Sequence, residues 1–454
     1  LYEKREKIYT RRIEGFFQRV RLFTGWPLFL GYLCLPWFEW QGRQAILFDL
    51  PARKFHILGL TFWPQDLSLL GLILIIAAFS LFLVTALLGR VWCGYTCPQT
   101  VWTAIFMWCE QKAEGTRNQR IKLDKAPWSL NKVFRKLVKY SMWGVVAFAT
   151  GFIFVGYFTP VRELGVDLLT GQAPLMAVAW VVFFTLATYI NAGFMREQVC
   201  TYMCPYARFQ SAMFDSDTLI VSYDSKRGET RGSRKRGETS ESAGLGDCVD
   251  CQLCVQVCPV GIDIRDGLQY QCIACAMCVD ACDSIMDKMA YSRGLIRYTT
   301  ENSLKGIPTH LFRPRTIGYG AVVILMVSFF VWRLLSIEPI EIGVLHDREH
   351  MSQTTSTGQV ENRYILKIAN KTADSQQYTI AVKPEGFQVV GQTMPYVLSG
   401  EVASIRLRIL KTAQGEAAQK SAGAGSKIND IEFIITDEKG RQFSHANRFI
   451  ELKQ

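Results

Sequence analysis

Apolar runs of about 20 residues recur along the first three quarters of the chain. A helix needs about 20 apolar residues to cross the roughly 30 Å hydrocarbon core of a bilayer. Five stretches are long enough, and they lie at approximately 22–40, 67–89, 138–158, 174–194 and 316–336. The first is the weakest, because Pro27 and Pro36 interrupt it. The pattern predicts a membrane protein with an α-helical bundle of about five transmembrane helices.

After the last of these runs, apolar and polar residues alternate with a period of two. Such alternation is typical of half-buried strands. It is clearest in RYILKIAN (363–370), QYTIAVKP (377–384), VASIRLRIL (402–410) and DIEFIITD (430–437). Gly, Asn, Asp and Ser separate these runs, as expected of turns. About 110 residues of short alternating strands predict a C-terminal β-sandwich of immunoglobulin type.

The distribution of basic residues predicts how the chain crosses the membrane. Its 454 residues carry 51 Lys and Arg against 40 Asp and Glu, a net charge of +11. The basic residues concentrate before the first apolar run and between residues 110 and 139. Since Lys and Arg are retained on the cytoplasmic side, we expect a cytoplasmic N-terminus, a cytoplasmic region 195–315, and residues 338–454 across the membrane.

The same topology accounts for the positive charge without nucleic acid. The run Arg231–Arg236 leaves a nucleic-acid arm open, but basic segments beside a membrane usually contact anionic lipid headgroups. We therefore expect the lipid bilayer, and no nucleic acid, as a partner. The first 21 residues contain no apolar core typical of a cleavable signal peptide.

Two cysteine runs identify an iron–sulfur protein. Residues 248–259 read CVDCQLCVQVCP and residues 272–282 read CIACAMCVDAC. In this Cys-x2-Cys-x2-Cys-x3-Cys spacing, three thiolates hold one 4Fe-4S cluster and the fourth ligates the other. We therefore predict two clusters, one on Cys248, Cys251, Cys254 and Cys282 and the other on Cys272, Cys275, Cys278 and Cys258. Zinc also binds four thiolates, but zinc ribbons rarely interleave two such sets.

These patterns divide the chain into five parts. A stretch rich in Ser, Gly and charge (222–246) is expected to be a mobile linker. The predicted parts are transmembrane helices one to four (1–215), a cytoplasmic linker (216–246), a two-cluster ferredoxin-like domain (247–315), transmembrane helix five (316–337) and the β-sandwich (338–454).

Two further cysteine pairs each follow an apolar run. They read WCGYTCPQT (92–100) and VCTYMCPYA (199–207), and both contain Cys-x3-Cys-Pro. In a helix, sulfurs four residues apart would share one face. Because proline favours the first helical position, the second cysteine of each pair should lie near an N-cap, where the helix dipole favours the thiolate.

The predicted topology places both pairs at the same membrane edge. Four thiolates, with Met203 as a further sulfur ligand, would prefer Cu(I) to hard cations. We therefore predict a copper site formed by Cys93, Cys97, Cys200 and Cys204, with Met203 as an added ligand. The alternative is that these cysteines are small structural residues at helix ends.

Four other residues carry weaker signals. Cys34 and Cys109 are expected to be buried packing thiols, the usual role of isolated cysteines. His346 and His350 are four residues apart in HDREH and could bind a metal. A solvated turn next to the membrane is the favoured interpretation of the histidines.

Four segments together resemble a known family. They are GRQAILFDLPARKFHILGLTFWPQD (42–66), GRVWCGYTCPQTVWT (89–103), VCTYMCPYARFQSAMFD (199–215) and GLQYQCIACAMCVDACDSIMDKM (267–289). In this order, with five spans and a β-rich tail, they resemble the cytochrome c oxidase accessory protein family CcoG, also called FixG or RdxA. The resemblance extends over nearly the whole chain.

The resemblance implies a location and an activity. It implies a protein of the bacterial cytoplasmic membrane with two 4Fe-4S clusters and a periplasmic immunoglobulin-like domain. The activity implied is reduction of Cu(II) to Cu(I) for assembly of cbb3-type cytochrome oxidase, with Cys93, Cys97, Cys200 and Cys204 as the copper-reducing residues. The implied partners are an unidentified cytoplasmic electron donor, a copper transporter or chaperone, and oxidase assembly factors.

Two other functions stay open at this point. One is a quinol-oxidising electron-transfer subunit, since polyferredoxin-type quinol dehydrogenases also combine Cys-x3-Cys-Pro motifs with two clusters. A tail without cysteine does not favour a redox relay of that kind. The other is a non-catalytic assembly scaffold for the oxidase, in which the clusters only sense redox state.

Overall fold

The chain forms two compact units. The structure, a computed structural model, describes residues 7–40, 42–235, 238, 240, 244–336, 338–347, 352–355, 359–372, 374–412 and 427–451. The first unit contains the chain up to Glu39 together with Ser68–Val331. The second contains Trp40–Leu67 and the chain from Trp332 onward.

Helices dominate the first unit. The α-helices among the described residues are α1 (Phe16–Cys34), α2 (Leu67–Leu88), α3 (Val91–Tyr95), α4 (Pro98–Glu114), α5 (Arg117–Lys125), α6 (Leu130–Gly156), α7 (Val161–Thr170), α8 (Leu175–Thr188), α9 (Pro205–Ala212), α10 (Ser225–Gly228), α11 (Leu253–Val257), α12 (Met277–Met289), α13 (Glu301–Lys305) and α14 (Pro314–Leu335). Two π-helical segments, Tyr189–Met195 and Val199–Met203, follow α8.

Strands are concentrated in the second unit. Those described are β1 (Glu39–Trp40), β2 (Arg43–Gln44), β3 (Ile46–Asp49), β4 (Lys54–Ile57), β5 (Leu60–Phe62), β6 (Ile220–Tyr223), β7 (Ile296–Thr299), β8 (Ile340–His346), β9 (Gln353–Thr354), β10 (Val360–Asn370), β11 (Gln376–Gln377), β12 (Thr379–Lys383), β13 (Phe387–Gly391), β14 (Tyr396–Val397), β15 (Val402–Lys411), β16 (Lys427–Thr436) and β17 (Gln442–Glu451). Of these, β6 and β7 belong to the first unit.

Four of the described helices are long and apolar enough to cross a membrane. They are α2, α6, α8 with its π-helical continuation to Met195, and α14. They correspond to four of the five predicted runs, although α6 begins earlier than expected, at Leu130. These helices indicate a membrane protein.

The first predicted span, 22–40, is wrong in its position and is not one of these four. The helix there is α1, which begins and ends earlier. Asp280 accepts hydrogen bonds from the backbone N–H groups of Phe17 and Gln18 (3.1 and 2.8 Å), and this cap sets the start of the helix before the apolar run. The early start adds polar residues such as Arg21 to α1, so the helix is less apolar than the other four.

A small domain carries the two cysteine runs. Its helices α11 and α12 each begin within one of the runs, and β6 pairs antiparallel with β7. The buried core includes Val221, Ile264, Val279, Met286 and Leu295.

Part of the segment predicted as a linker (216–246) belongs to this domain. Its residues Ile220–Tyr223 are the fully buried strand β6. The sequence did not predict this strand, because its partner β7 lies far along the chain and leaves no local pattern near residue 220.

The C-terminal domain is a sandwich of two sheets. One sheet has the strand order β13-β15-β10-β8, with β9 also paired to β10, and the other has the order β12-β16-β17. Apolar side chains from both sheets form one core, among them Leu366, Ile368, Leu407, Phe433 and Phe449. The alternating runs of the sequence coincide with β10, β12, β15 and β16, because every second residue of these strands faces this core.

The segment between α1 and α2 belongs to the same unit as the sandwich. Its strands β3, β4 and β5 form an antiparallel sheet. Lys371 of the sandwich pairs with Asp66 at the end of this segment (3.2 Å) and with Glu341 (3.0 Å). Residues 40–67 and the chain from Trp332 onward therefore fold together.

A buried ion network ties α4 to its neighbours in the first unit. Glu110 is fully buried and pairs with Arg120 (3.0 Å), Arg196 (3.1 Å) and Lys7 (3.3 Å). Burial alone would raise the pKa of Glu110, but the charges of Arg196, Lys7 and Arg120 outweigh it and hold that pKa below its usual range. Some basic residues of the 110–139 segment are thus structural cations rather than lipid-facing ones.

We expect Glu110→Gln to destabilise the protein by roughly 3–5 kcal/mol, because it leaves the buried guanidinium groups of Arg120 and Arg196 without a counter-charge. Thermal unfolding in detergent measures this as a lower Tm. Glu14→Gln is the matched control, since its ion pair with Arg12 (3.3 Å) is exposed and should contribute little. Equal Tm values for the two variants would contradict the prediction.

Candidate iron–sulfur and thiolate site

The two cysteine-rich loops follow the same backbone course. In each loop the residues on either side of the second cysteine have a positive φ, and these residues are Asp250, Gln252, Ala274 and Ala276, with φ of 50° to 55°. Left-handed residues between right-handed ones turn backbone N–H groups toward a common centre, where a negatively charged group can bind. Both loops therefore form cradles, and α11 and α12 begin directly after them.

The cysteines of the two loops separate into two groups. One cavity is lined by Cys248, Cys251, Cys254 and Cys282. A neighbouring cavity is lined by Cys258, Cys272, Cys275 and Cys278, with Cys254 at the boundary between the two. Each loop thus sends its fourth cysteine to the other loop, which is the interleaved grouping that the spacing predicts.

Seven of the eight cysteines in the two groups are buried or partly buried, and Cys251 is exposed. Burial raises the pKa of Cys282 to about 12, with a further contribution from the charge of Cys254. Burial also raises the pKa of Cys258 to about 12, although the backbone N–H groups of Val260 and Ile262 oppose it. Iron must therefore displace the protons when it binds, as metals do at thiol sites. Four sulfurs per cavity and cradles of N–H groups fit a 4Fe-4S cluster at each group.

The first Cys-x3-Cys-Pro segment breaks a helix. Cys93 lies in α3, and Cys97 is the N-cap of α4 with Pro98 as its first residue. The predicted N-cap position of Cys97 is confirmed. The two cysteines do not share the face of one continuous helix, because the residue before a proline avoids the α conformation.

The second segment has a related geometry. Cys200 lies in the π-helical segment Val199–Met203, and Cys204 is the N-cap of α9 with Pro205 as its first residue. The N-cap position of Cys204 is likewise confirmed. Each pair therefore consists of one cysteine inside a helical turn and one at the break before the next helix.

The structure brings the two pairs near each other, since Cys93 Sγ donates to Gln210 Oε1 (3.1 Å) of α9, the helix that Cys204 caps. Burial raises the pKa of Cys93 to about 11, and the nearby charges of Cys97 and Cys204 add to this increase. Burial also raises the pKa of Cys200 to about 12, with contributions from the charges of Cys97, Cys93 and Cys204. The four thiols consequently form one electrostatically connected cluster, which we call the four-thiol cluster.

The four-thiol cluster packs directly against the second cysteine loop. A Cβ atom on Gly94 would lie 2.7 Å from the carbonyl oxygen of Ile273 and 2.9 Å from the Cα atom of Cys275. The buried side chain of Cys93 belongs to the same apolar cluster as Ile273, Cys275 and Val257. Only a residue without a side chain permits this contact between the two backbones.

A buried cation lies between the four-thiol cluster and the second loop. Arg90 donates from Nε to Gln210 Oε1 (3.2 Å), which also accepts from Cys93 Sγ (3.1 Å). Arg90 also donates to the carbonyl oxygen of Tyr270, two residues before Cys272. Its charge opposes the burial that raises the pKa of Cys93. Arg90 and Gln210 were not predicted from the sequence, where the local signal was a basic residue in GRVWC, directly after an apolar run.

The remaining candidates have other surroundings. Cys109 is buried in a core with Phe106 and Trp143, which confirms its packing role. Cys34 is exposed at the end of α1, so the prediction that it is buried is wrong. Met203 is exposed beside Cys204.

Of the two candidate histidines, the structure describes His346. His346 lies in β8, where its ring packs against Tyr364 with centroids 4.4 Å apart and an interplanar angle of 45°. Its Nε2 contacts the carbonyl oxygen of Arg448 (2.8 Å). It is therefore part of the sandwich and not in a solvated turn. His350 lies outside the described residues.

Three proteins are similar in sequence to this chain over nearly their full length. The nitrogen fixation protein FixG of Rhizobium meliloti is 36% identical over 490 residues, which cover 100% of this chain and 90% of that protein. The RdxB and RdxA proteins of Cereibacter sphaeroides are 41% and 39% identical, covering 98% and 97% of this chain and 96% and 95% of their own. The chain belongs to the FixG/RdxA family. The predicted resemblance is confirmed.

Three family models match parts of this FixG/RdxA protein. A 4Fe-4S dicluster domain matches residues 195–301, and an "IG-like fold at C-terminal of FixG" matches residues 330–451. A further 4Fe-4S binding domain matches residues 70–114, a stretch that contains Cys93 and Cys97. The chain is therefore an iron–sulfur protein, and the model of its C-terminal domain describes FixG as an oxidoreductase. The match at 70–114 was not predicted, because Cys93 and Cys97 were expected either to bind copper or to be small structural residues at helix ends.

Proposed function

We propose that this protein is a membrane-bound cupric reductase that converts Cu(II) to Cu(I). This proposal rests on one contact. Gly94, the residue after Cys93 of the four-thiol cluster, packs against the backbone of Ile273 and Cys275. A metal-reducing site needs soft ligands beside a source of single electrons. Thiolates are soft ligands that stabilise Cu(I), and this contact places them directly on a predicted cluster loop.

The four-thiol cluster can supply the electrons that reduction of copper requires. Two thiolates that close one disulfide release two electrons, and two Cu(II) ions each take one of them to become Cu(I). When bound, the 4Fe-4S clusters on Cys248, Cys251, Cys254 and Cys282 and on Cys258, Cys272, Cys275 and Cys278 supply one-electron transfer. Two electrons and two protons return the disulfide to two thiols for the next cycle.

The protein's own residues prepare this step. Arg90 offsets the negative charge that accumulates when the thiols ionise, because it is a buried cation beside Cys93. Among the described residues no three His, Cys, Asp or Glu side chains already converge on a single ion. Copper binding would therefore draw the thiols of the four-thiol cluster closer together. A cubane cluster differs, because each of its four ligands binds a separate iron atom.

We further propose a location in the bacterial cytoplasmic membrane, with the cysteine domain in the cytoplasm and the sandwich in the periplasm. The common folding of residues 40–67 with the chain from Trp332 onward supports this topology. It requires α1 to cross the membrane in addition to the four apolar helices. The product would pass to a copper transporter or chaperone for assembly of cbb3-type cytochrome oxidase, and the electrons would come from a cytoplasmic donor.

Anaerobic addition of Cu(II) to the reduced protein tests the activity. We expect purified protein, reduced with dithionite and desalted, to regain the visible absorbance of oxidised clusters and to lose the EPR signal of reduced clusters as Cu(II) is added. A Cu(I)-specific chelator should report a matching amount of Cu(I). If the clusters stay reduced after the addition, the proposal is wrong.

The family match at residues 70–114 favours a second candidate, in which the four-thiol cluster itself holds a further 4Fe-4S cluster. Iron and sulfide analysis of the anaerobically purified protein separates the two. Iron equal to two cubane clusters per chain supports the copper site. Iron equal to three, falling to two when Cys200 and Cys204 are replaced by serine, supports the second candidate.

A further inference from the structure

A groove in the first unit joins apolar helix surfaces to the cysteine domain. It has a volume of about 270 Å³. Trp26 and Phe29 of α1 form one wall, Val101 and Ile105 of α4 form another, and Met277 closes the end toward the second cysteine loop. The groove is thus apolar along the helices, and its lining residues Val257 and Met277 belong to the apolar cluster that also contains Cys93.

One buried charge points to what the groove holds. Arg21 of α1 lines it and is 8% exposed. Its guanidinium Nη1 donates to the Met277 thioether sulfur (3.0 Å), which is its hydrogen-bond acceptor among the described residues. No carboxylate in the described part of the chain forms an ion pair with Arg21. A thioether is a weak acceptor, and a buried cation without a counter-charge is costly. An anion in the groove would remove this cost.

Further basic residues line the groove and the cavity beside it. The groove adjoins a second cavity of about 520 Å³, and Arg11 and Arg12 line both. Lys112 and Arg117 line the second cavity as well. The part of the chain that the structure describes contributes no carboxylate to either lining. Arg12 pairs with Glu14, but in an exposed contact.

We propose that this groove binds an anionic phospholipid, with the phosphate on Arg21 and an acyl chain along Trp26, Phe29 and Val101. A free phosphate would satisfy the cation but leave the apolar walls uncovered. A neutral amphiphile would cover the walls but leave the charge unpaired. The lipid would hold α1 and α4 against the start of α12, where Met277 lies one residue before Cys278.

The test uses the full chain in nanodiscs of phosphatidylcholine with and without phosphatidylglycerol. We expect phosphatidylglycerol to raise the Tm of the wild type, and native mass spectrometry to show it retained after delipidation. Arg21→Gln should weaken retention roughly tenfold, the loss of a charge-assisted hydrogen bond. Arg19→Gln, an exposed arginine on the same helix, should behave like the wild type. Equal loss in both variants would overturn the proposal.

Three further arms keep the result interpretable. Arg21→Lys keeps the charge and should keep the lipid response, so a loss equal to that of Arg21→Gln counts against a phosphate ligand. Inorganic phosphate in phosphatidylcholine discs should give no Tm shift, and a full shift would mean an anion site without lipid. A ubiquinone analogue that raises the Tm through Arg21 in place of phosphatidylglycerol would likewise overturn the proposal.

Discussion

We expect the double substitution Cys200→Ser and Cys204→Ser to keep the iron–sulfur clusters and to lower the rate of Cu(II) reduction by more than about 100-fold. Mutating a residue that only supports a metal ligand typically lowers metal affinity or activity about 10–100-fold. Loss of a ligand itself should lower the rate at least as much. The four thiols form one cluster with Cys93 and Cys97, so removing half of them should disable the whole. The measurement is the rate at which Cu(II) reoxidises the dithionite-reduced protein.

Cys34→Ser is the matched control for this variant. Cys34 is exposed at the end of α1, away from both cysteine loops, and its loss should leave the rate unchanged. A non-catalytic scaffold would give a different result, because the double variant would then match the control in every redox assay. A cupric reductase rate that survives the double substitution would contradict the assignment of copper to the four-thiol cluster.

Local patterns predicted the parts of the fold that depend on local interactions. The alternation in 363–370 identifies β10, because a strand between a core and solvent repeats every two residues. The start of α1 could not be predicted in this way, since its cap is Asp280, hundreds of residues later in the chain. The strand β6 was missed for the same reason, because it is stabilised by pairing with β7.

The candidate site shows the same division. Cysteine spacing predicted the two interleaved groups, since ligand spacing within a loop is a local property. Proline after the second cysteine predicted the N-cap positions of Cys97 and Cys204. The roles of Arg90 and Gln210 could not be predicted, because they arise only when α3 and α9 pack together. No periodicity or motif marks such a contact.

The second large effect should come from Gly94→Ala. The added methyl group would lie 2.7 Å from the Ile273 carbonyl oxygen and 2.9 Å from the Cys275 Cα atom. Both are backbone atoms of a loop held by its cysteines, so the α3 segment must move instead. Displacements of about 1 Å can slow a reaction roughly 100-fold. We expect reoxidation of the reduced clusters by Cu(II) to slow on this scale.

The cluster spectra of the Gly94→Ala variant should remain those of the wild type, because the substitution displaces the thiols and not the cluster ligands. Gly71→Ala in α2 is the matched control, since no atom lies within 4 Å of a Cβ at that position and alanine favours a helix. Stopped-flow absorbance after mixing with Cu(II) measures both variants. Unchanged kinetics in Gly94→Ala would mean that electrons do not reach copper across this contact, and the four-thiol cluster would then need a different electron source.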